Sequence, residues 1–293
     1  MKNYMKIGVL ALTLFLVLGL SGCDVGHYEE PIGAEGGFAW MQAIVGFLAD
    51  RVYGMSSFFG GHYIVGLFMI TLIIRIVGWP IYSKSTAMSV NMQIAQPEIQ
   101  KVQEKYQGKK DEASQRAQQQ EMMAIYRKYN INPLGCLLPL LQMPIFIAMY
   151  QVVRRMPLSA TAGERYTDLD YQFFFMDFTA AAPVVDTAFN LSQHWINVLL
   201  ALIVGATMYF YQQYAMKKPE YLQNKKYKKT AQQEQSEKTM RFMTYFMVIM
   251  LTSISFTNLG IAFYWIVGNL FQFAQTYVNR KKMYKTHFAD SNQ

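Results

Sequence analysis

An arginine lies inside an apolar segment of the sequence that is long enough to cross a membrane. Residues 63–82 read YIVGLFMITLIIRIVGWPIY, and about twenty apolar residues suffice to cross a hydrocarbon core of roughly 30 Å. Arg75 interrupts this run, and an arginine at mid-bilayer costs about 2.5 to 3.5 kcal/mol on insertion scales. Its guanidinium must therefore face water or protein. Two interpretations stay open: Arg75 snorkels toward the interface at the Tyr82 end, or it lines a water-filled recess in the membrane.

Polar side chains of other apolar segments could line the same recess. In the last apolar segment four residues recur on one helical face, namely Trp265, Asn269, Gln272 and Thr276. Gln142 and Gln193 each add an amide from a further segment. An amide in a membrane more often hydrogen-bonds a neighbouring helix, at about 0.6 kcal/mol per contact, and a tryptophan more often packs. Their coincidence with Arg75 nevertheless favours a hydrophilic groove with Arg75, Gln142, Gln193, Trp265 and Asn269 as its lining residues.

The sequence has no pattern typical of catalysis or of metal or nucleotide binding. Its four histidines and two cysteines are scattered without ligand spacing, and it lacks GxxxxGK[ST] and GxSxG motifs. The net charge of +8 would suit nucleic acid, but no nucleic-acid motif accompanies it. We therefore expect no enzymatic activity, no cofactor, no bound metal and no nucleic-acid partner.

Composition and apolar segments predict an all-α membrane protein. Hydrophobic residues make up 52% of the chain and aromatic residues 15%, which is typical of a polytopic membrane protein. The spacing predicts five transmembrane helices, a cytoplasmic helical hairpin and an amphipathic helix at the outer interface. The predicted segments are a lipoprotein signal peptide at 1–22, an extracellular lipid-anchored N-terminus with the amphipathic helix at 23–62, transmembrane helices at 63–82, 133–155, 194–216, 242–257 and 258–279, the hairpin at 83–132, an extracellular loop at 156–193, a cytoplasmic loop at 217–241 and a cytoplasmic tail at 280–293.

The N-terminus has the layout of a secretory signal. Lys2 and Lys6 precede an apolar run at 7–20, and small residues lead into Cys23. This ending resembles a bacterial lipobox, which implies that Cys23 is lipidated and becomes the mature N-terminus. The alternative is an uncleaved anchor helix with an incidental cysteine.

Two water-facing elements each allow two interpretations. Apolar residues of 38–59 recur at three-four spacing, which predicts an amphipathic helix that lies in the outer interface or packs on the bundle. Two helical patterns flank Gly108 within 83–132, which predicts a two-helix hairpin that is a solvated connector or a docking surface. Pro97 is expected to kink or begin its first arm.

Basic residues fix the predicted orientation. The segments 83–132 and 217–241 carry eight Lys/Arg each and the tail carries four, out of 27 in all. By the positive-inside rule these three segments are cytoplasmic and the N-terminus is outside, so the groove opens to the cytoplasm. Arg154 and Arg155 lie at the outer end of their segment and run against the rule; contact with lipid headgroups is the role we expect for them.

Several blocks of the sequence resemble the YidC insertase family with its mitochondrial Oxa and chloroplast Alb relatives. They are Gln96 to Gln100, Tyr126, Asn132 to Cys136, Pro139 to Phe146, Gly260 and Tyr264 to Asn269. The lipobox and the absence of a large periplasmic domain look like the Gram-positive lipoprotein branch. The resemblance implies an insertase of nascent membrane proteins in the bacterial cell membrane, acting alone or with the Sec translocon.

The resemblance also implies roles for particular segments. Arg75 matches the family's groove arginine, Gln142 and Trp265 match positions near the groove, and Gln193 is carried over with them. The hairpin is implied to receive clients, and basic tails contact ribosomes in some members, although the tail here is short. Alternatives are a small-anion transporter, an intramembrane enzyme or a lipid scramblase that uses the same groove.

Overall fold

The computed structural model describes residues 30–33, 39–109, 111–132, 143–179, 191–217 and 231–291, which are mostly helical. The signal peptide, Cys23 and Gln142 lie outside the described residues. The elements in chain order are α1 (Ala39–Phe58), α2 (Tyr63–Val77), α3 (Trp79–Lys105), α4 (Glu112–Lys128), α5 (Met143–Thr161), β1 (Gln172–Phe173), β2 (Met176–Asp177), α6 (Leu191–Met216), α7 (Ala231–Phe256) and α8 (Leu259–Ser291). The two short strands pair antiparallel and are the described exception to an all-α fold.

Length and hydropathy single out a few of the described helices as membrane-crossing candidates. His194–Met216 of α6 is long and apolar enough on its own, and it coincides with the predicted span 194–216. α2 and α3 pass the same test when they are taken together as one broken span, and Arg241–Phe256 is apolar but shorter. The count of five spans therefore stays a prediction.

A bend interrupts the predicted first span. The sequence predicts one helix over 63–82, but α2 ends at Val77 and α3 starts at Trp79, with 57° between them. The reason is Pro80, which lies in the first turn of α3: proline has no amide hydrogen, and its ring clashes with the carbonyl four residues earlier. Hydropathy is continuous across Gly78, so it gave no sign of the break.

The segment predicted as a hairpin contains two helices, α3 and α4, and the first of them begins earlier than expected. α3 runs from Trp79, so residues assigned to the first span belong to the hairpin helix, and Pro97 lies inside α3 rather than at its start. α3 and α4 share a small apolar core of buried residues, namely Ala95, Ile99, Val102, Ile125 and Ile131. Two interhelix ion pairs, Lys105 with Glu121 and Lys128 with Glu98, flank this core.

Several helices continue beyond the predicted spans into predicted loops. α5 extends to Thr161, α7 starts at Ala231 and α8 runs to Ser291. Hydropathy indicates where apolar character ends, whereas a helix continues through polar residues until a breaker stops it. The boundaries at 156, 241 and 280 are therefore limits of hydrophobicity and not helix ends.

The chain divides into two compact units. The first comprises Met1–Thr71, Leu141–Asn197 and Thr257–Tyr264, and the second comprises Leu72–Leu140, Val198–Phe256 and Trp265–Gln293.

In the first unit α1 packs on α5. The buried side of α1 consists of Met41, Val45, Ala49, Val52 and Ser56, at the three-four spacing that predicted an amphipathic helix. Its opposite side exposes aromatic rings, among them Phe47 and Phe58. Of the two interpretations of α1, the structure favours the one in which its stripe packs on a neighbouring helix.

The first unit also corrects the role expected for Arg155. This side chain is fully buried and donates hydrogen bonds to the carbonyls of Glu30 and Pro31 and to the side chains of Gln42 and Gln151. It contacts protein and not lipid headgroups. Its acceptors are neutral, which sequence spacing does not reveal.

Candidate functional site

Arg75 lies in the last turn of α2, in the second unit. Its guanidinium donates a hydrogen bond from Nη1 to Oε1 of Gln272 on α8, at 3.2 Å. The guanidinium carbon also lies 5.6 Å from the centre of the Tyr82 ring, within the range of a cation–π contact. The bend at Gly78 brings this ring under the arginine, and the side chain remains partly exposed.

Gly268 allows α8 to approach the arginine closely. A Cβ atom built on Gly268 would lie 2.8 Å from Nη2 of Arg75, which is shorter than a van der Waals contact. Any larger residue at this position would have to displace the guanidinium. The glycine therefore shapes the space that Arg75 occupies.

The amide of Gln272 is engaged at both ends. Its oxygen accepts from Arg75, and its Nε2 donates to the hydroxyl of Tyr211 on α6 at 2.9 Å. Arg75, Gln272 and Tyr211 thus form a hydrogen-bonded row that joins α2, α8 and α6. Together with Tyr82 and Gly268 these residues are called the Arg75 site below.

Among the described residues, no acidic side chain forms an ion pair with Arg75. The ion pairs in the described part of the chain lie elsewhere, in the hairpin and in the first unit. A partly exposed guanidinium that has a neutral acceptor on one side keeps donors available for another anion. The site could therefore bind a carboxylate.

The other residues predicted to line the groove are placed as follows. Trp265 is buried on α8, one turn before Gly268. Asn269 donates to the hydroxyl of Thr207 on α6 at 3.3 Å, which is the helix-packing contact expected of many membrane amides. Gln193 lies in the first turn of α6, within the first unit, but its side chain is outside the described part of the structure.

The polar face of α8 continues beyond Gln272. Asn279 accepts a hydrogen bond from the indole nitrogen of Trp79 at 3.2 Å, and Arg280 donates to the carbonyls of Tyr214 and Ala215 at the end of α6. Gln275 is 2% exposed, and neither of its side-chain polar atoms has a hydrogen-bond partner among the described residues. Buried amides are usually hydrogen-bonded, so the Gln275 amide is unusual among the described side chains.

Sequence reasoning missed two members of the Arg75 site. Tyr211 lies one turn after Thr207 on α6, and that polar spacing within an apolar helix was the available signal. Gly268 gave no such signal, because close approach depends on where Arg75 lies in space. Gln272 was part of the predicted polar stripe but was not assigned to the groove.

Metal binding finds no support in the described part of the chain. Within those residues no group of three or more His, Cys, Asp or Glu side chains could hold a metal ion.

Comparison with known proteins identifies the class. The model of the family described as 60Kd inner membrane protein matches residues 54–286, and the chain belongs to this family, which is that of the Oxa and YidC proteins. The resemblance seen in the sequence is thereby confirmed.

Individual relatives are bacterial proteins named membrane protein insertases. The chain is 30% identical over 273 residues to "Membrane protein insertase YidC 1" of Listeria monocytogenes, covering 92% of this chain and 82% of the relative. It is 29% identical over 276 residues to "Membrane protein insertase MisCA" of Bacillus subtilis, covering 93% and 90%. It is 28% identical over 280 residues to "Membrane protein insertase YidC" of Oceanobacillus iheyensis, covering 95% and 97%.

Proposed function

We propose that the chain inserts nascent membrane proteins into the bacterial cell membrane through a hydrophilic groove that contains the Arg75 site and opens to the cytoplasm. The observation that carries this proposal is the partly exposed guanidinium of Arg75, which has a neutral hydrogen-bond partner in a chain of the insertase family. The row of polar side chains along α8, from Asn269 through Gln272 to Asn279, supports a groove with a polar lining.

In this mechanism the Arg75 site attracts the polar segment of a client that must cross the membrane. An ion pair at about 4 Å and an effective dielectric constant near 20 is worth roughly 4 kcal/mol before desolvation. This is comparable with the cost of bringing one carboxylate into the bilayer. The client's hydrophobic segment then moves into lipid, and the burial of its apolar surface drives the step to completion. No nucleotide and no covalent chemistry are needed.

The proposed topology has five transmembrane helices with the N-terminus outside and the C-terminus inside. It rests on the excess of Lys/Arg in the hairpin, in 217–241 and in the tail. Cys23 is proposed to carry a lipid that anchors the N-terminus to the outer leaflet. The Sec translocon is a proposed partner, and the hairpin is a proposed receiver for clients. A ribosome contact would involve the short basic tail.

The test is an insertion assay with purified protein in liposomes. We expect Arg75→Ala to lower the insertion of a single-span client with an acidic translocated tail by about threefold to fivefold, the effect of losing one partly screened charge contact. Arg75→Lys should retain much of the activity if charge matters more than the planar guanidinium. A matched client with a neutral tail is the control.

Two outcomes would count against the proposal. Equal insertion of the acidic client by wild type and Arg75→Ala would remove the arginine from the mechanism. Steady anion flux through client-free liposomes, lost in Arg75→Ala, would instead identify an anion transporter.

A further inference from the structure

The hydrogen-bond partner of Arg75 is an amide where a carboxylate would fit equally well. Glutamate has the same length and shape as Gln272, and an arginine within a membrane is normally expected to pair with an acid. At the observed distance of 3.2 Å between Nη1 and Oε1, a glutamate would form a charge-assisted pair. The amide of Gln272 holds the guanidinium in place but does not neutralise its charge.

The direction of the amide matters, because its two ends are opposite in character. Oxygen must face the guanidinium, which has only donors, whereas a flipped amide would place its NH₂ group against them. Arg75 therefore sets the direction of the amide, while the hydroxyl of Tyr211, which can donate or accept, accepts from Nε2 at 2.9 Å and holds the far end of the Gln272 side chain. Tyr211 therefore acts on Arg75 through Gln272.

We propose that Gln272 determines which clients the Arg75 site accepts, by positioning the guanidinium without neutralising it, and that Tyr211 is the positioning residue that fixes the amide. The proposal rests on the proposed function and refines it. A neutral residue at 272 keeps the site one charge more positive than a glutamate would, and this charge selects clients whose translocated segment carries carboxylates. Neutral segments gain nothing from it.

The experiment compares Gln272→Glu, Gln272→Met and Tyr211→Phe with wild type, in the liposome assay with paired acidic-tail and neutral-tail clients. In Gln272→Glu an internal carboxylate competes with the client for Arg75. We expect the ratio of acidic-tail to neutral-tail insertion to fall by about threefold to fivefold, as in Arg75→Ala. Tyr211→Phe should lower the same ratio by about twofold, since it releases the amide of Gln272 but leaves the charge of Arg75 unchanged.

A double variant separates client selection from a merely structural role. If Tyr211 and Gln272 act through Arg75, Tyr211→Phe, which changes no charge, should lower the ratio no further in an Arg75→Ala background. Gln272→Met keeps the length and volume of the side chain and leaves the arginine charged, so it should retain the preference for acidic tails better than Gln272→Glu. A general loss of insertion, equal for both clients in all three variants, would mean that these residues only hold the helices together and would overturn the inference.

The failure of the inference can be distinguished from the failure of the proposed function. If Arg75→Ala loses the preference for acidic tails while Gln272→Glu and Tyr211→Phe keep it, the groove mechanism stands and the role of Gln272 is refuted. If Arg75→Ala itself keeps the preference, both are refuted. If Gln272→Glu does not fold, the ratio measured for Tyr211→Phe alone decides: an unchanged ratio overturns the inference.

Discussion

Replacing Arg155 by methionine should destabilise the first unit more than any neighbouring surface change. The Arg155 side chain is fully buried and donates four hydrogen bonds at 2.8 to 3.0 Å: to the carbonyls of Glu30 and Pro31 and to the amide oxygens of Gln42 and Gln151. These contacts tie residues 30–33, α1 and α5 together. Methionine fills most of the volume but satisfies none of the four acceptors.

The magnitude follows from the balance of two terms. Hydrogen bonds to a charged group contribute about 1.5 to 3 kcal/mol each, while burial of the guanidinium costs several kcal/mol in lost hydration. Gln42 is partly exposed and can hydrogen-bond water instead, so most of the lost stability comes from the two carbonyls and Gln151. We expect a net destabilisation of about 3 kcal/mol, in the range seen when a buried polar partner is removed.

Thermal unfolding in detergent measures this effect, and hydrogen exchange locates it. For a chain of this size a loss of about 3 kcal/mol corresponds to a melting temperature lower by roughly 6 to 10 °C. The amide of Ile32, which donates to the hydroxyl of Ser159 at 2.7 Å, should exchange faster, since Arg155 no longer holds the adjacent carbonyls.

The adjacent arginine provides the matched control. Arg154 is only partly buried and donates to the hydroxyl of Tyr150 at 3.2 Å, so Arg154→Met should cost much less. Equal melting temperatures for the two variants, or unchanged exchange at Ile32, would refute the view that Arg155 fastens residues 30–33 to the fold.

Three further predictions follow from local geometry. Gly268→Ala should displace the guanidinium of Arg75 and lower the insertion of acidic-tail clients. The melting temperature should change little, because the clash is with the flexible end of a side chain. A large fall in melting temperature would contradict this prediction. Gly66→Ala should destabilise strongly in a thermal melt, since its Cβ would lie 2.4 Å from a backbone carbonyl oxygen of α1, and a wild-type melt would show that the helices are farther apart. Hydrogen bonds from lysine and tyrosine lower the pKa of Glu98 and Glu121 below the ordinary 4.5. Hydrogen-exchange protection of the hairpin should therefore be full above pH 4.5 and should fall as the pH drops below it. Protection that stays constant down to pH 3 would show that these ion pairs do not stabilise the hairpin.

Local patterns predicted the parts of the fold that depend on neighbours along the chain. The apolar run of α6 matched its helix from His194 to Met216, and the turn at Gly108 separated the two hairpin arms. The hydropathy pattern did not predict the break at Gly78, because apolar character continues across it, although Pro80 marks the position. A proline within an apolar run therefore indicates a helix break even where hydropathy is continuous.

The Arg75 site was predicted in part. Arg75 stood out because a charge in an apolar segment is costly, and Gln272 lay in the predicted stripe of α8. Tyr211 and Gly268 could not be assigned, since their roles depend on how closely three helices approach each other. The role of Arg155 was predicted wrongly for the same reason: its acceptors lie up to 125 residues away in the chain, and two of the four are backbone carbonyls, which carry no sequence signal.

The most direct test of the central claim is the accessibility of position 75 from the two sides of the membrane. The experiment introduces Arg75→Cys into a chain in which Cys136 is replaced by serine, and it labels intact cells and inverted membrane vesicles with a membrane-impermeant thiol reagent. A groove that opens to the cytoplasm predicts rapid labelling in inverted vesicles and protection in intact cells. Labelling from the outer side alone, or from neither side, would contradict the account.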